Sequence, residues 1–564
     1  MGPSKQRPKS KAIDRGIAYL LVFGSLLVTV TISPWNFDPI SIPKFTIVAL
    51  VAIFGIVLHL TQLSEAPRRD ASMSSFEFLL FLLAILLTIN LLQNNYALSE
   101  RLFGVGSRNT GYVTYLSFLA IAFLASKYAG FINKLTFLKV LYSANIIVTI
   151  YYLLQRSDLD FIEVTNFYAR PSSTLGNPNF VSGFIGMTAI IPFFIYMSNR
   201  NFKTLFLSLF GIAVNLIVIL DSQSIQGVFA FSFSVITLTL VVSYLKFKRY
   251  FLIAGMLFFT FGIFAFLGLL GQGPLSSQLS TNTLFSRFDY WRAAASMTFS
   301  NPIFGVGLDG YGDFYREYRD QTAFNRLGES QTTDTPHNLF LDYFASGGLP
   351  LGVTLAILII FVYFRVTRVI FLNSNLNSDL VPLFVIFNAY LIQSLVSPNS
   401  LGIGVWLWVL LGKMWQLTQS QSPKSDSRKY IRKAITKWVG SFVYRTKLGL
   451  ISCLLVTVPF VVSPLNTDLE FLNAAESSDG RRLIKVASAW PMDTKRFLLV
   501  EEAISAGAFD GFKLQVAQLG VRHNPHSYML WRAIFQNPYT SVTERSRALD
   551  ELNRLEPRLQ SILN

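Results

Sequence analysis

About thirteen stretches of this chain are apolar over the length that crosses a bilayer, near residues 17–34, 42–62, 75–93, 111–128, 135–155, 179–198, 204–221, 225–245, 251–271, 349–364, 380–396, 401–416 and 448–464. A hydrocarbon core of about 30 Å asks for roughly 20 apolar residues in a helix, because lipid offers nothing to hydrogen-bond an open backbone. The pattern therefore predicts an all-α polytopic membrane protein with about 12–13 transmembrane helices. Composition agrees: 52% of the 564 residues are hydrophobic and 14% are charged, where soluble domains carry about 25% charged residues. A basic tail over residues 1–16 (Lys5, Arg7, Lys9, Lys11, Arg15) precedes the first stretch, and no small-residue cleavage site follows. That stretch is read as a retained helix.

Forty-eight Lys and Arg against 32 Asp and Glu leave a net charge of +16. Lys and Arg in short loops stay on the cytoplasmic side of a membrane. Counting spans from a cytoplasmic N-terminus, the inner segments hold Arg68/Arg69, Lys127/Lys134, Arg200/Lys203, Lys246/Lys248/Arg249, Arg365/Arg368 and a dense run from Lys424 to Lys447 within a basic loop at 417–447. The polytopic unit is read as 17–464. From 465 to 564 the chain balances, with twelve acidic and twelve basic residues, so the surplus belongs to the membrane half and nucleic acid is not needed as a partner. The lone Cys453 excludes a disulfide framework. The four histidines lack metal-ligand spacing, and neither a metal nor a cofactor is expected. The spans read as almost free of ionisable groups, with Glu77, His59 and Asp221 near their ends.

The outer loops ahead of residue 465 carry a different signal, because their nine basic residues are all arginine. Guanidinium binds phosphate or carboxylate through a planar fork, whereas ammonium is a point charge. Arg170 precedes Asn177-Pro178, which reads as a helix cap followed by the first helical residue. A helix N-terminus beside an arginine is suited to an anion, although an ordinary loop and cap would have the same sequence. Arg287 lies in the longest outer loop, about 272–348. It opens a stretch with Phe288, Trp291, Ala295 and Phe299 at helical spacing, which predicts an amphipathic helix at the membrane surface. Gly305 to Gly312 reads as a flexible turn. At the end of this loop, Thr335 reads as a cap and Pro336 as the first helical residue, placing His337 in the opening turn of a short helix that Gly347-Gly348 and Pro350 interrupt. A neutral His337 in that place could accept a proton; a surface or packing role is the alternative.

The segment from His337 to Gly352 resembles the signature of the O-antigen ligase and O-antigen polymerase superfamily. Similar in the same way are Leu102-Phe-Gly-Val-Gly-Ser-Arg108-Asn-Thr-Gly111, the Asn177-Pro178-Asn179 turn after Arg170, and Asn301-Pro-Ile-Phe-Gly-Val-Gly307 after Arg287. The resemblance covers roughly residues 15–420. It departs at Ser346, where the family often has an acidic residue ahead of the glycine break. It implies a glycosyltransferase of the bacterial cytoplasmic membrane that moves a glycan from undecaprenyl diphosphate to an acceptor on the outer face. His337 would be the general base and Arg170 and Arg287 the diphosphate binders, with Asn338, Asn177 and Arg108 in support. Inversion without a metal, a nucleotide sugar or another cofactor is expected. Ligase, polymerase and protein O-oligosaccharyltransferase differ in acceptor and stay open.

Pro491 and Pro525 stand 34 residues apart, the tetratricopeptide period, with Phe497 and Trp531 six residues past each. Residues 465–564 are accordingly expected to form an extracytoplasmic domain of two or three helical hairpins, with Ala503, Ala506, Ala517 and Ala548 as small packing residues and a protein partner as its ligand. A lipid or solute transporter is the competing class, since thirteen spans also suit translocation. Transporters, however, place ionisable groups at mid-membrane, and here the polar chemistry gathers in the outer loops.

Overall fold

The computed structural model describes residues 8–65, 73–94, 96–162, 168–269, 271–274, 276, 282–328, 332–373, 375–376, 378–419, 447–477, 479–503 and 510–559. Most of the basic loop 417–447, part of the N-terminal tail, Arg68, Arg69 and Ala506 lie outside them. Among the described residues every regular element is helical. In order, they are α1 (Pro8–Val30), α2 (Ser41–Glu65), α3 (Ser75–Gln93), α4 (Leu98–Phe103), α5 (Tyr112–Tyr128), α6 (Lys134–Arg156), α7 (Pro178–Thr188), α8 (Ile191–Ser198), α9 (Phe202–Asp221), α10 (Ile225–Lys246) and α11 (Lys248–Leu269). The outer loop contributes α12 (Asn282–Ser300), α13 (Tyr311–Tyr318) and α14 (Gln321–Leu327). Then come α15 (Leu339–Asn373), α16 (Leu380–Ser394), α17 (Leu401–Gln419), α18 (Lys447–Glu476), α19 (Gly480–Ala487), α20 (Thr494–Ala503), α21 (Asp510–His523), α22 (Tyr528–Gln536) and α23 (Val542–Leu555). Among the described residues, twelve segments are long and apolar enough to cross a membrane, and α16, at 15 residues, is a shorter apolar helix in the place of the remaining expected span.

The helix ends follow from short polar residues between the apolar runs. Ser74 caps α3 in a reciprocal box with Glu77, Asn133 caps α6, and Asn201 caps α9. Two buried lysines correct the expectation that the spans hold almost no ionisable groups. Lys44 in α2 donates to the carbonyls of Thr29 (3.1 Å) and Thr31 (2.7 Å), just where α1 ends. Lys413 in α17 donates to Ala129 (2.7 Å) and Ile132 (2.9 Å) beyond α5. Each ammonium meets carbonyls at or just beyond a helix C-terminus, where the helix dipole favours a cation. At the bundle's centre α17 packs on α5, with Trp408 stacked on Phe118 and the Trp406 indole donating to Thr29 Oγ1 at 2.9 Å.

Residue 465 falls inside the continuous helix α18, which runs from a span into a second core. That core includes Phe471, Val486, Phe497, Val500, Trp531, Ile534 and Leu552, so both aromatics placed six residues after a proline are buried in it. Each helix from α18 to α23 packs on the next. In the outer loop, α12 buries Ala293, Ala294 and Met297 against α13 and α15. Phe299 is 76% exposed, so the apolar stripe expected to meet the membrane lies on the opposite side from the packed one.

Candidate active site

The outer loop closes on a break in α15. At Gly348 the backbone leaves the helix (φ 73°, ψ −176°), which frees groups on both sides of the break. The segment Asn301–Gly307 takes them up. Val306 N–H donates to Ala345 O (2.9 Å), Gly307 N–H to Ser346 O (3.0 Å), and Leu349 N–H to Pro302 O (2.8 Å). Asn90 of α3 adds its amide to the carbonyls of Ser346 and Phe304. Close approach explains the glycines: a Cβ on Gly305 would sit 2.3 Å from Ala345 O. The turn expected to be flexible is pinned to the helix break by backbone bonds.

Arg108 reaches this platform from the loop before α5. Its Nη2 lies 3.2 Å from Asp309 Oδ1 and 3.4 Å from Asp342 Oδ2, and its Nη1 donates to the carbonyl of Asp334. Asp309 also accepts from Val105 N–H (2.7 Å) and the Thr110 hydroxyl (2.8 Å). Burial opposes the charge on Arg108, but Asp309, Asp342 and Asp334 outweigh it and hold the guanidinium more firmly protonated than usual. Ser346, which stands where the resembled family often has an acid, points its hydroxyl at Asp342 one turn earlier (3.5 Å).

His337 is not in the first turn of a helix. Asn338 is the cap: its Oδ1 accepts from the N–H groups of Phe340 (3.0 Å) and Leu341 (3.1 Å), and its Nδ2 donates to Leu395 O (3.0 Å). These bonds give Asn338 a structural place, and it is Thr335 that hydrogen-bonds the imidazole. His337 precedes the cap with φ 53°, a left-handed backbone. Its Nδ1 is 3.2 Å from both the hydroxyl and the carbonyl of Thr335. A proton on Nδ1 directed at that carbonyl leaves the lone pair on Nε2. The Tyr290 ring lies 5.5 Å from the imidazole. Burial pushes the His337 pKa down to about 4; Asp334 opposes this, while Arg287 and Arg108 reinforce it. The imidazole is consequently neutral at pH 7.

Arg287 lies in the second turn of α12, 6% exposed. Among the described residues its Nη1 has no hydrogen-bond partner. Burial lowers its pKa to about 10, with Tyr290 pulling the other way. Arg170 is differently placed, with its Nη1 3.4 Å from Asp221 Oδ1. It lines an open polar pocket with Gln155, Arg156, Asp158, Asp160 and Tyr168. Asn177 caps α7 as expected, with Pro178 as its first residue, and its amide donates to the Tyr168 hydroxyl (2.8 Å). Burial raises the Tyr168 pKa and Asp334 adds to the rise, so Asp334 lies within electrostatic reach of this loop.

Sequence reasoning selected His337, Arg287 and Arg108, which the fold brings into one electrostatic neighbourhood. It missed Asp309, Asp342, Asp334 and Tyr290, and it read Thr335 as a helix cap where the structure sets it against the imidazole. Asp309 was hidden in a glycine-rich turn, and Asp342 could have been found as the acid one helical turn before Ser346.

Residues 181–356 match the family model described as O-antigen ligase. No curated protein matches the chain. Arg287, Asp309, His337, Asp342 and the Gly348 break lie inside the matched segment, whereas Arg108, Arg170 and Asn177 lie ahead of it.

Proposed function

Taking residues 181–356 as an O-antigen ligase domain, we propose that the protein transfers a glycan from undecaprenyl diphosphate to an acceptor hydroxyl on the outer face of the cytoplasmic membrane. One observation carries this reading: a guanidinium, Arg287, is buried to 6% exposure with an unpartnered Nη1 among the described residues, and its charge is felt by a histidine held neutral. A buried guanidinium nitrogen left without a partner is costly, and an anionic ligand would repay that cost.

In the proposed step His337 Nε2 takes the acceptor's proton as the acceptor oxygen attacks the anomeric carbon. The bond from that carbon to the diphosphate oxygen breaks, its electron pair leaves with undecaprenyl diphosphate, and the configuration inverts. Arg287 meets the charge that develops on the leaving oxygen. Arg170 and the N-terminus of α7 are assigned to the rest of the diphosphate. Arg108, held by Asp309 and Asp342, fixes the backbone at Asp334, three residues before His337. The chemistry assigned to guanidinium groups needs no metal. The acceptor is a lipid core, a growing glycan, a cell-wall polymer or a protein hydroxyl, and the C-terminal helical domain favours a macromolecular one.

The test is transfer by the purified protein in lipid from a polyprenyl diphosphate-linked glycan, with these acceptors and with chelator. Transfer should survive chelation, fall about 10²–10⁴-fold in His337→Ala and about 10²–10³-fold in Arg287→Ala. Unchanged transfer by His337→Ala would overturn the mechanism. Absence of transfer to every acceptor, together with ligand-driven flux in proteoliposomes, would make transport the better reading.

A further inference from the structure

Helix α13 stands between the site and the C-terminal domain, and the two grip it from opposite sides. On the site side, the Tyr311 hydroxyl donates to the carbonyl of Tyr290 at 2.7 Å, and the Tyr315 ring meets the Tyr290 ring edge-on at 5.7 Å. Tyr290 is the aromatic neighbour of His337.

The other side is held by charges. Arg319, which ends α13, is fully buried and ion-paired with Glu556, itself fully buried at the end of α23. Arg316 Nη1 lies 3.9 Å from the same carboxylate, and its guanidinium covers the Tyr528 ring at 4.3 Å. Arg558 donates to the carbonyls of Arg316 and Glu317, in the last turn of α13. Toward the start of the helix, Asn524 Nδ2 bridges Asp313 (2.9 Å), Thr494 (3.0 Å) and Glu100 (3.5 Å). Glu100 also accepts from Thr494 N–H at 2.6 Å.

A module that only recruits a partner has no use for such an interface. Burying a carboxylate against two guanidinium groups is costly in desolvation, and apolar contacts would often be as stable; directional ion pairs are one way to select a single docking geometry. Here that geometry is imposed on a helix separated from His337 by one layer of tyrosine. We propose that the C-terminal domain is a positioning element of the transfer site: Glu556, with Arg558 and Asn524, clamps α13 and thereby sets the place of Tyr290 and His337. The kinetic half of this inference rests on the transferase reading above, and the structural half does not.

The experiment uses the full-length protein in nanodiscs and combines hydrogen exchange with steady-state kinetics. Glu556→Gln should accelerate amide exchange both over 311–319 and over 333–338. It should lower kcat about 3- to 30-fold, the span of coupling seen for residues remote from a ligand, and leave the KM for donor within about twofold. Glu556→Asp should recover part of both effects. Should Glu556→Gln fail to fold, Arg558→Ala, which leaves the buried ion pair in place, is expected to give the same pattern in weaker form. Loosening of 311–319 with unchanged exchange at 333–338, or an unchanged kcat, would overturn the clamp. Wild-type protein that transfers nothing to any acceptor would overturn the transferase reading, while the exchange data still decide whether Glu556 holds the His337 segment.

Discussion

A histidine that loses its proton near pH 4 behaves differently from an ordinary imidazole in both catalysis and stability. The neutral form proposed to act as base is complete well below pH 6.5, so on that proposal the acid limb of kcat/KM, which reports the free enzyme, should fall near pH 4 to 5. Arg287 is one of the charges that depress it. Arg287→Gln should therefore move that limb upward while lowering the plateau, and a limb that stays in place would separate the two residues electrostatically. For stability the sign follows from proton counting. The unfolded chain, with an ordinary imidazole, binds more protons than the folded one between pH 6.5 and about 4. The contribution of His337 is thus fully present above pH 6.5 and is lost as pH falls toward 4.

Among the elements, the interrupted helix α15 depends on one backbone conformation. Gly348 has φ 73°, and a Cβ there would lie 2.6 Å from the carbonyl carbon of Ile303. Gly348→Ala should reduce stability by at least about 2 kcal/mol, because a positive φ with ψ near 180° is a backbone conformation that essentially only glycine adopts and the added Cβ would strike the backbone of Pro302 and Ile303, and it should lower transfer by displacing Asn301–Gly307. Gly262→Ala, with nothing within 4 Å, is the control that should keep both Tm and transfer. The break itself was legible from Gly347-Gly348 and Pro350, and the cap of α7 from Asn177-Pro178, because local backbone chemistry decides such features. The cap of α15 was not. Thr335-Pro336 shows the same cap-and-proline pattern, and what favours Asn338 is a bond to Leu395, 57 residues away. The pairing of Arg108 with Asp309 and Asp342 was illegible for the same reason: no periodicity pairs residues more than 200 positions apart. Lys44 and Lys413 escaped because one charge hardly lowers the mean of a long apolar window.

At the scale of the whole molecule, the two ends of the bundle differ in chemistry. One end joins Lys127 to Glu77 and Lys134 to Asp379; the other gathers Arg108 and Arg170 with their carboxylates, together with Arg287 and His337. If retention of Lys and Arg in short loops orients the bundle, the lysine end faces the cytoplasm and the arginine end faces outward. A donor carrying its glycan on the outer leaflet could then reach His337 directly, with no need to cross the bundle. The single cysteine makes this testable, since Cys453→Ser gives a cysteine-free background. Ser157, after α6, and Asn199, after α8, are both exposed and lie at successive ends of the bundle. A membrane-impermeant maleimide added to intact spheroplasts should label Ser157→Cys, and should label Asn199→Cys only after the membrane is opened. The reverse pattern would turn the site toward the cytoplasm, where an outer-face acceptor cannot meet it, and the proposed reaction would fail with the orientation.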